Sequence, residues 1–134
     1  MSRQLYLIDT DWTIHHLNGN KQIINKVLSL SKDGVAISVI SLAELYEGVY
    51  YSTNPSGDEK VLAEFLSSVP VLEVDEEICK IFGKERGRLR RMGRVGLDLD
   101  LLIAATCLRW DMTLLTNNRK HYELVNGLKI ISFS

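Results

Sequence analysis

Three acidic residues stand where a carboxylate needs a chemical reason: Asp9, Glu44 and Asp100. Asp9 ends the short apolar run Leu5-Tyr-Leu-Ile8. Glu44 closely follows the apolar run Val35-Ala-Ile-Ser-Val39. Asp100 opens a stretch that is apolar nearly all round, including Leu101, Leu102, Ile103, Ala104, Ala105, Cys107 and Leu108. Burying such a group unpaired is costly. Carboxylates that share one crevice repel, and they find relief in a proton or a cation. Oxygen-only ligands suit Mg²⁺ or Mn²⁺. Such an ion activates a water and neutralises charge on a phosphodiester. The chemistry implied is phosphoryl-ester hydrolysis without a covalent enzyme intermediate.

Each acid also has a plainer reading. Asp is a preferred N-cap, so Asp9 could only cap a helix. Ser41-Leu-Ala-Glu44 has capping-box form, which would make Glu44 the reciprocal partner of Ser41. Asp100 could answer the helix dipole in a first turn. Asp98 is the better cap of that helix, which leaves Asp100 for another task. Convergence of all three acids at one edge of a sheet is what separates a site from a set of caps.

The surrounding pattern predicts that edge. Leu5–Ile8, Val35–Val39, Val71–Val74, Thr113–Thr116 and Leu128–Phe133 read as short buried strands. Helices are expected over Asp11–Leu17, around Ile23–Leu28, from Ser41 to about Tyr51, around Val61–Leu66, from Asp75 to about Arg91, and over Asp98–Trp110. Lys32-Asp33-Gly34 and Asn117-Asn118 read as turns, and Gly93 and Gly96 bracket a loop. Strands alternating with helices predict a parallel sheet covered on both faces, with ligands outside the carboxyl ends of its strands. Asp9, Glu44 and the Asn117-Asn118 pair all fall at that end.

The 134 residues fit one domain, spanning 1–134. At 46% hydrophobic and 25% charged, the chain is not of disordered type. A net charge of −1 excludes a generally basic coat, so any nucleic-acid contact must come from a local patch. Cys79 and Cys107 lack CxxC spacing and read as two buried thiols of a reducing compartment. The first apolar run is too short for a signal peptide or membrane span, so a cytoplasmic protein with no membrane association is expected.

Four blocks together resemble the PIN-domain family, and within it the VapC-type toxin ribonucleases. They are Leu5-Tyr-Leu-Ile-Asp9-Thr-Asp11, Ile37-Ser-Val-Ile-Ser-Leu-Ala-Glu44-Leu-Tyr-Glu-Gly48, Gly96-Leu-Asp-Leu-Asp100-Leu-Leu-Ile-Ala-Ala105 and Thr113-Leu-Leu-Thr-Asn117-Asn118. The resemblance implies a three-layer α/β/α sandwich with a central, mostly parallel sheet of four to five strands. It implies an Mg²⁺- or Mn²⁺-dependent endoribonuclease, the toxin of a type II toxin–antitoxin pair, with RNA as substrate. It also implies a VapB-like antitoxin as partner, a homodimer, and products carrying a 5′-phosphate and a 3′-hydroxyl. By motif match Asp9, Glu44 and Asp100 are the metal-binding and catalytic acids, and Asp11 matches a frequent Asn or Asp. Asn118 takes a place often held by a fourth acid and is expected, with Asn117, to orient a water. His121 stands where relatives carry another acid.

Beside the Asp100 loop runs a basic series, Lys84, Arg86, Arg88, Arg90, Arg91 and Arg94. A solvated helix face is the ordinary use of such a run. Arg91 and Arg94, nearest the loop, are the expected RNA-binding residues. His15 and His16 face different ways on a helix and read as surface or packing residues. Tyr46, Tyr50 and Tyr51 read as core or dimer packing. Two other functions remain open. Asp9-Thr-Asp11-Trp-Thr13 has the DxDxT form of haloacid-dehalogenase phosphatases, with Asp9 as nucleophile. A PIN scaffold could also serve as a non-catalytic binding module.

Overall fold

In the computed structural model, residues 3–94, 96 and 98–133 are described. Five strands, β1 (Tyr6–Ile8), β2 (Val35–Ser38), β3 (Val71–Leu72), β4 (Thr113–Leu115) and β5 (Lys129–Ile131), alternate with helices. The helices are α1 (Thr10–Leu17), α2 (Lys21–Leu30), α3 (Val39–Tyr50), α4 (Pro55–Leu66), α5 (Glu76–Arg91), α6 (Asp98–Trp110) and α7 (Arg119–Tyr122). The strands form one sheet in the order β3-β2-β1-β4-β5. Every pairing is parallel, so the sheet is wholly rather than mostly parallel.

Strand alternation divides the core between the two faces. Ile8, Ile37 and Leu115 point to one face, where Trp12, Ile23, Val27, Leu45, Leu62 and Phe65 cover them from α1 to α4. Leu7, Ala36 and Leu114 point to the other, under Leu89 of α5, Ile103, Ala104 and Cys107 of α6, and Tyr122 of α7. This is the expected three-layer arrangement. Gly34 leads into β2 at φ +90°, where a Cβ would stand 2.7 Å from the Arg3 carbonyl oxygen. Only glycine fits there without strain.

Local details differ from the sequence reading in instructive ways. Ser38, not Ser41, caps α3, its Oγ accepting from Ile40 N at 3.0 Å. β2 therefore runs directly into α3, and Glu44 lies well inside the helix instead of forming a capping box. Asp98 belongs to α6 rather than capping it; positions 95 and 97 of the Gly93–Gly96 loop region lie outside the described residues. Asp75 does cap α5, accepting from Ile78 N at 2.8 Å. Cys107 is buried, but Cys79 is exposed, so the pair is not two buried thiols. Tyr46 packs against the core, whereas Tyr50 and Tyr51 are exposed. His16 packs edge-on against Phe65, and His15 is exposed. Among the described residues no helix is long and apolar enough to cross a membrane.

Candidate active site

The strand order reverses at β1: β2 and β3 lie to one side, β4 and β5 to the other. A crevice at such a switch point opens outside the carboxyl ends of β1 and β4. Asp9 follows β1 and is 3% exposed. It is the N-cap of α1, with Oδ1 accepting from Thr10 N at 2.8 Å. The capping role is therefore real, but it occupies only one oxygen. Oδ2 accepts from the Thr116 hydroxyl at 2.7 Å, just past β4. Burial, and then the Asp11 charge, push the Asp9 carboxyl up to about 6 against the opposing pull of the Thr116 and Thr10 hydrogen bonds.

Thr116 Oγ1 also accepts from Asn118 N at 3.0 Å and lies 3.2 Å from Asp11 Oδ1. A hydroxyl has one proton, and the shorter contact assigns it to Asp9. Asp11 faces the backbone instead: Oδ1 accepts from Trp12 N at 2.8 Å and Oδ2 from Asn117 N at 2.9 Å. Asn117 Oδ1 in turn accepts from Trp12 Nε1 at 2.9 Å and Phe133 N at 2.8 Å. Asp11 and Asn117 thus tie the loop after β4 to α1. With its amide oxygen so engaged, Asn117 is a brace. Asn118 is exposed, and its side chain does not cap α7.

Glu44 joins the cluster through Thr10, whose hydroxyl donates to Glu44 Oε1 at 2.6 Å and lies 3.0 Å from Ser41 Oγ. Asp100 joins from the other side. The buried Tyr122 hydroxyl lies between the Asp9 and Asp100 carboxylates, and burial together with both charges pushes its ionisation strongly up. His121 Nδ1 is 2.8 Å from Asp100 Oδ2. Yet Asp100 Oδ2 and Tyr122 Oη are both buried without a hydrogen bond of ordinary geometry. Thr10 thus links Glu44, through its hydroxyl, to Asp9, through its backbone N–H, and the Tyr122 hydroxyl lies near both Asp9 and Asp100 without bonding either, so the three predicted acids gather at one end of the sheet. Among the described residues, no three acidic, histidine or cysteine side chains already surround a single point.

The residues present fit a hard divalent cation. The donors are carboxylate oxygens, and burial disfavours the charge of Asp9, which a cation would offset. The buried Tyr122 Oη beside it lacks a hydrogen-bond partner that a hydrated ion would supply. Mg²⁺ keeps several of its waters and takes only one or two carboxylates, so it does not require a closed protein cage.

Sequence reasoning missed Thr10, Thr116 and Tyr122. Thr10 and Thr116 sit inside the blocks already singled out, but nothing in their type told that their hydroxyls hold carboxylates. Tyr122 reads as an ordinary apolar position of a short helix. The basic run is sorted by the fold. Arg88 is held by Glu85 at 2.8 Å and by the Leu124 carbonyl oxygen at 2.6 Å, and Arg86 pairs with Asp98 at 2.8 Å. Arg90 and Arg94 line a cavity of about 480 Å³ with Lys120 and His121, whereas Arg91 is exposed outside it.

The DxDxT reading loses its support here. Both Asp11 oxygens accept backbone hydrogen bonds, and the Thr13 hydroxyl donates to the Asp9 carbonyl of its own helix at 3.0 Å. Comparisons with known proteins point the same way. A family model of the PIN domain matches residues 6–126. Ribonuclease VapC1 of Haemophilus influenzae (strain R2866) is 30% identical over 127 residues, 93% of this chain and 95% of that protein. The tRNA(fMet)-specific endonuclease VapC of Shigella flexneri is 27% identical, over 96% of this chain and 98% of that protein. Among solved structures, VapBC2 of Rickettsia felis bound to a DNA fragment from its promoter aligns at TM-score 0.91 and 28% identity, over 98% of this chain and all of that one. DNA-bound VapBC of Salmonella typhimurium aligns at TM-score 0.89 and 26% identity, over 96% and 98%. With four sequence blocks, a wholly parallel sheet and an acidic cluster at its switch point all in agreement, the chain belongs to the PIN-domain family and, within it, to the VapC-type ribonucleases.

Proposed function

We propose that this protein is an Mg²⁺- or Mn²⁺-dependent endoribonuclease that hydrolyses RNA phosphodiesters at the cluster of Asp9, Glu44 and Asp100. The observation that carries this reading is the Asp9 carboxyl, 3% exposed and pushed up to about 6, beside Asp100 and the unbonded, buried Tyr122 Oη. Asp9, Asp100 and Glu44 would hold the ion. When bound, the ion supplies Lewis acidity toward a water and toward the phosphate oxygens. The chain's own residues supply the rest. Thr116 and Thr10 fix the orientation of Asp9, and Thr10 carries that order to Glu44. Tyr122, buried beside the Asp9 and Asp100 carboxylates, would exclude bulk water from them. Asn118, exposed just past β4, would orient a water.

The chain would act as the toxin of a toxin–antitoxin pair, with a VapB-like antitoxin as partner, in the cytoplasm. Support comes from the solved VapBC structures, one chain of which it matches over nearly its whole length in each case.

The test is direct. Purified protein is incubated with total tRNA and with a single-stranded RNA, with Mn²⁺ or with EDTA, beside an Asp9→Asn variant. Cleavage is expected with Mn²⁺, and neither in EDTA nor by the variant. Cleavage that persists in EDTA overturns the metal-dependent reading. Turnover of a small phosphomonoester by a protein that leaves RNA intact favours a phosphatase, and a protein inert in every arm favours a binding module.

A further inference from the structure

A cavity of about 480 Å³ lies between α5, α6 and α7, within the roughly 300–1,000 Å³ of small-ligand sites. Arg90 near the end of α5, Arg94 just past it, Lys120 and His121 in α7, and the paired Arg86 and Asp98 form its polar rim. Leu101 of α6 and Leu124, after α7, are among its apolar walls. Leu101 is 7% exposed, while Leu124 is 41% exposed and presents its side chain at the surface. His121 belongs to this cavity and stands 2.8 Å from Asp100 Oδ2, so cavity and acidic cluster are continuous.

The charges of the wall are unusual for this chain. The whole protein carries −1, yet Arg90, Arg94 and Lys120 gather on one concave surface. Among the described residues no carboxylate lies within ion-pair distance of any of the three, whereas Arg86 and Arg88 are both paired. Arg86 and Asp98 line the same wall but pair with each other at 2.8 Å, so the three unpaired cations leave it net positive; such a wall favours an anionic partner, and a concave surface focuses its field. A rim of cations alone would suit an acidic peptide equally well. An apolar wall behind the rim, opening onto a phosphodiester-cutting cluster, suits a nucleotide better. Arginine guanidinium planes also stack on unpaired bases.

Resting on the reading of the chain as an RNA endonuclease, we infer that this cavity is a nucleotide subsite: it receives one unstacked base of a single-stranded RNA segment next to the scissile phosphate. Arg90, Arg94 and Lys120 hold the flanking phosphates, and Leu101 and Leu124 face the base. The subsite confers base preference as well as affinity.

Binding is measured by fluorescence anisotropy in EDTA, in an Asp9→Asn background, with fluorescein-labelled homohexamers of adenosine, cytidine and uridine. Arg90→Glu and Lys120→Glu are each expected to weaken binding about tenfold and to lower the salt slope by about 0.7 for each phosphate left without its cation. The control is Lys32→Glu, which makes the same charge change at the opposite edge of the sheet. Lys32 is exposed and lies in the turn whose Asp33 carbonyl oxygen accepts from Leu5 N at 3.2 Å, just before β1. The control should bind within about twofold of the parent, as expected of a solvated surface charge. Leu124→Asp should flatten the preference among the three hexamers. Circular-dichroism melting confirms that each variant is folded.

The inference is overturned if Lys32→Glu weakens binding as much as Arg90→Glu, which would indicate a diffuse field. It is overturned if Leu124→Asp leaves the base ranking intact, since phosphates alone would then be held. It is overturned in favour of a protein partner if a hexaglutamate peptide displaces the RNA and is itself weakened by Arg90→Glu. RNA cleavage by the unmodified chain is measured in parallel. Intact cleavage with any of these failures rejects the subsite alone; no cleavage at all rejects the nuclease reading beneath it.

Discussion

Burial raises the Asp9 carboxyl to about 6 from an ordinary value of 3.8, while Thr10 N and the Thr116 hydroxyl hold its two oxygens in hydrogen bonds. Near neutral pH the folded chain still carries the carboxylate, but less favourably than the unfolded chain does. The folded-state value lies above the unfolded one, so protonation of Asp9 stabilises the folded chain at low pH. That contribution is lost as pH rises through about 6. Asp9→Asn should remove the penalty. An asparagine amide can donate to Thr116 Oγ1, freeing the hydroxyl proton for Asp11. In EDTA at about pH 7.5 the variant is expected to exceed the parent by on the order of 2–3 kcal/mol in urea unfolding, a gain that disappears below about pH 4. A gain that is constant across this range would trace to some cause other than the carboxylate. The acid proposed to hold the ion is thus also a source of instability, as is usual where activity demands a strained site.

At the scale of elements, α5 carries the rim residue Arg90 near one end, just before Arg94, and depends on Asp75 at the other. Its cap is ordinary and its interior is strongly charged, so the cap should matter to stability more than to chemistry. Asp75→Ala should cost about 1 kcal/mol, read from the urea midpoint, with metal-dependent cleavage retained. Loss of cleavage in a folded Asp75→Ala protein would mean that α5 positions the acidic cluster directly. The other lesson at this scale comes from α3. A four-residue pattern matched Ser41 to Glu44, but the strand passes straight into the helix and Ser38 ends one while capping the other. Sequence spacing identified the helix and missed its first turn, because cap geometry depends on where the preceding strand stops. Glu44 was consequently credited with a local bond, whereas its partner is Thr10, thirty-four positions away in the chain.

For the molecule as a whole, the order β3-β2-β1-β4-β5 sets β1 and β4 side by side at the switch point. That adjacency brings Asp9 to Thr116, and α6 and α7, packed on one face, bring Asp100 and Tyr122 to Asp9. A cation that binds this folded arrangement and not the unfolded chain must raise stability by mass action. At a hundred times its dissociation constant, Mn²⁺ should add about 2.7 kcal/mol and raise the melting temperature by several degrees. Asp9→Asn and Asp100→Asn should abolish the shift. An equal shift in all three proteins would show that the ion binds elsewhere.

The strands, most helices, the two-sided sheet and the three acids were legible in the sequence, because apolar periodicity and unexplained carboxylates are properties of short segments. Cys79 was misjudged because local apolarity does not tell which face of an amphipathic helix a residue occupies. The roles of Thr10, Thr116 and Tyr122, the bracing of Asn117, and the division of the basic run into paired and unpaired arginines came only with the tertiary structure. Each depends on a partner remote in the chain: Thr116 is 107 positions from Asp9. Residue type determines which groups can do chemistry, whereas hydrogen bonding and burial, fixed only when distant segments pack, determine which groups are left to do it.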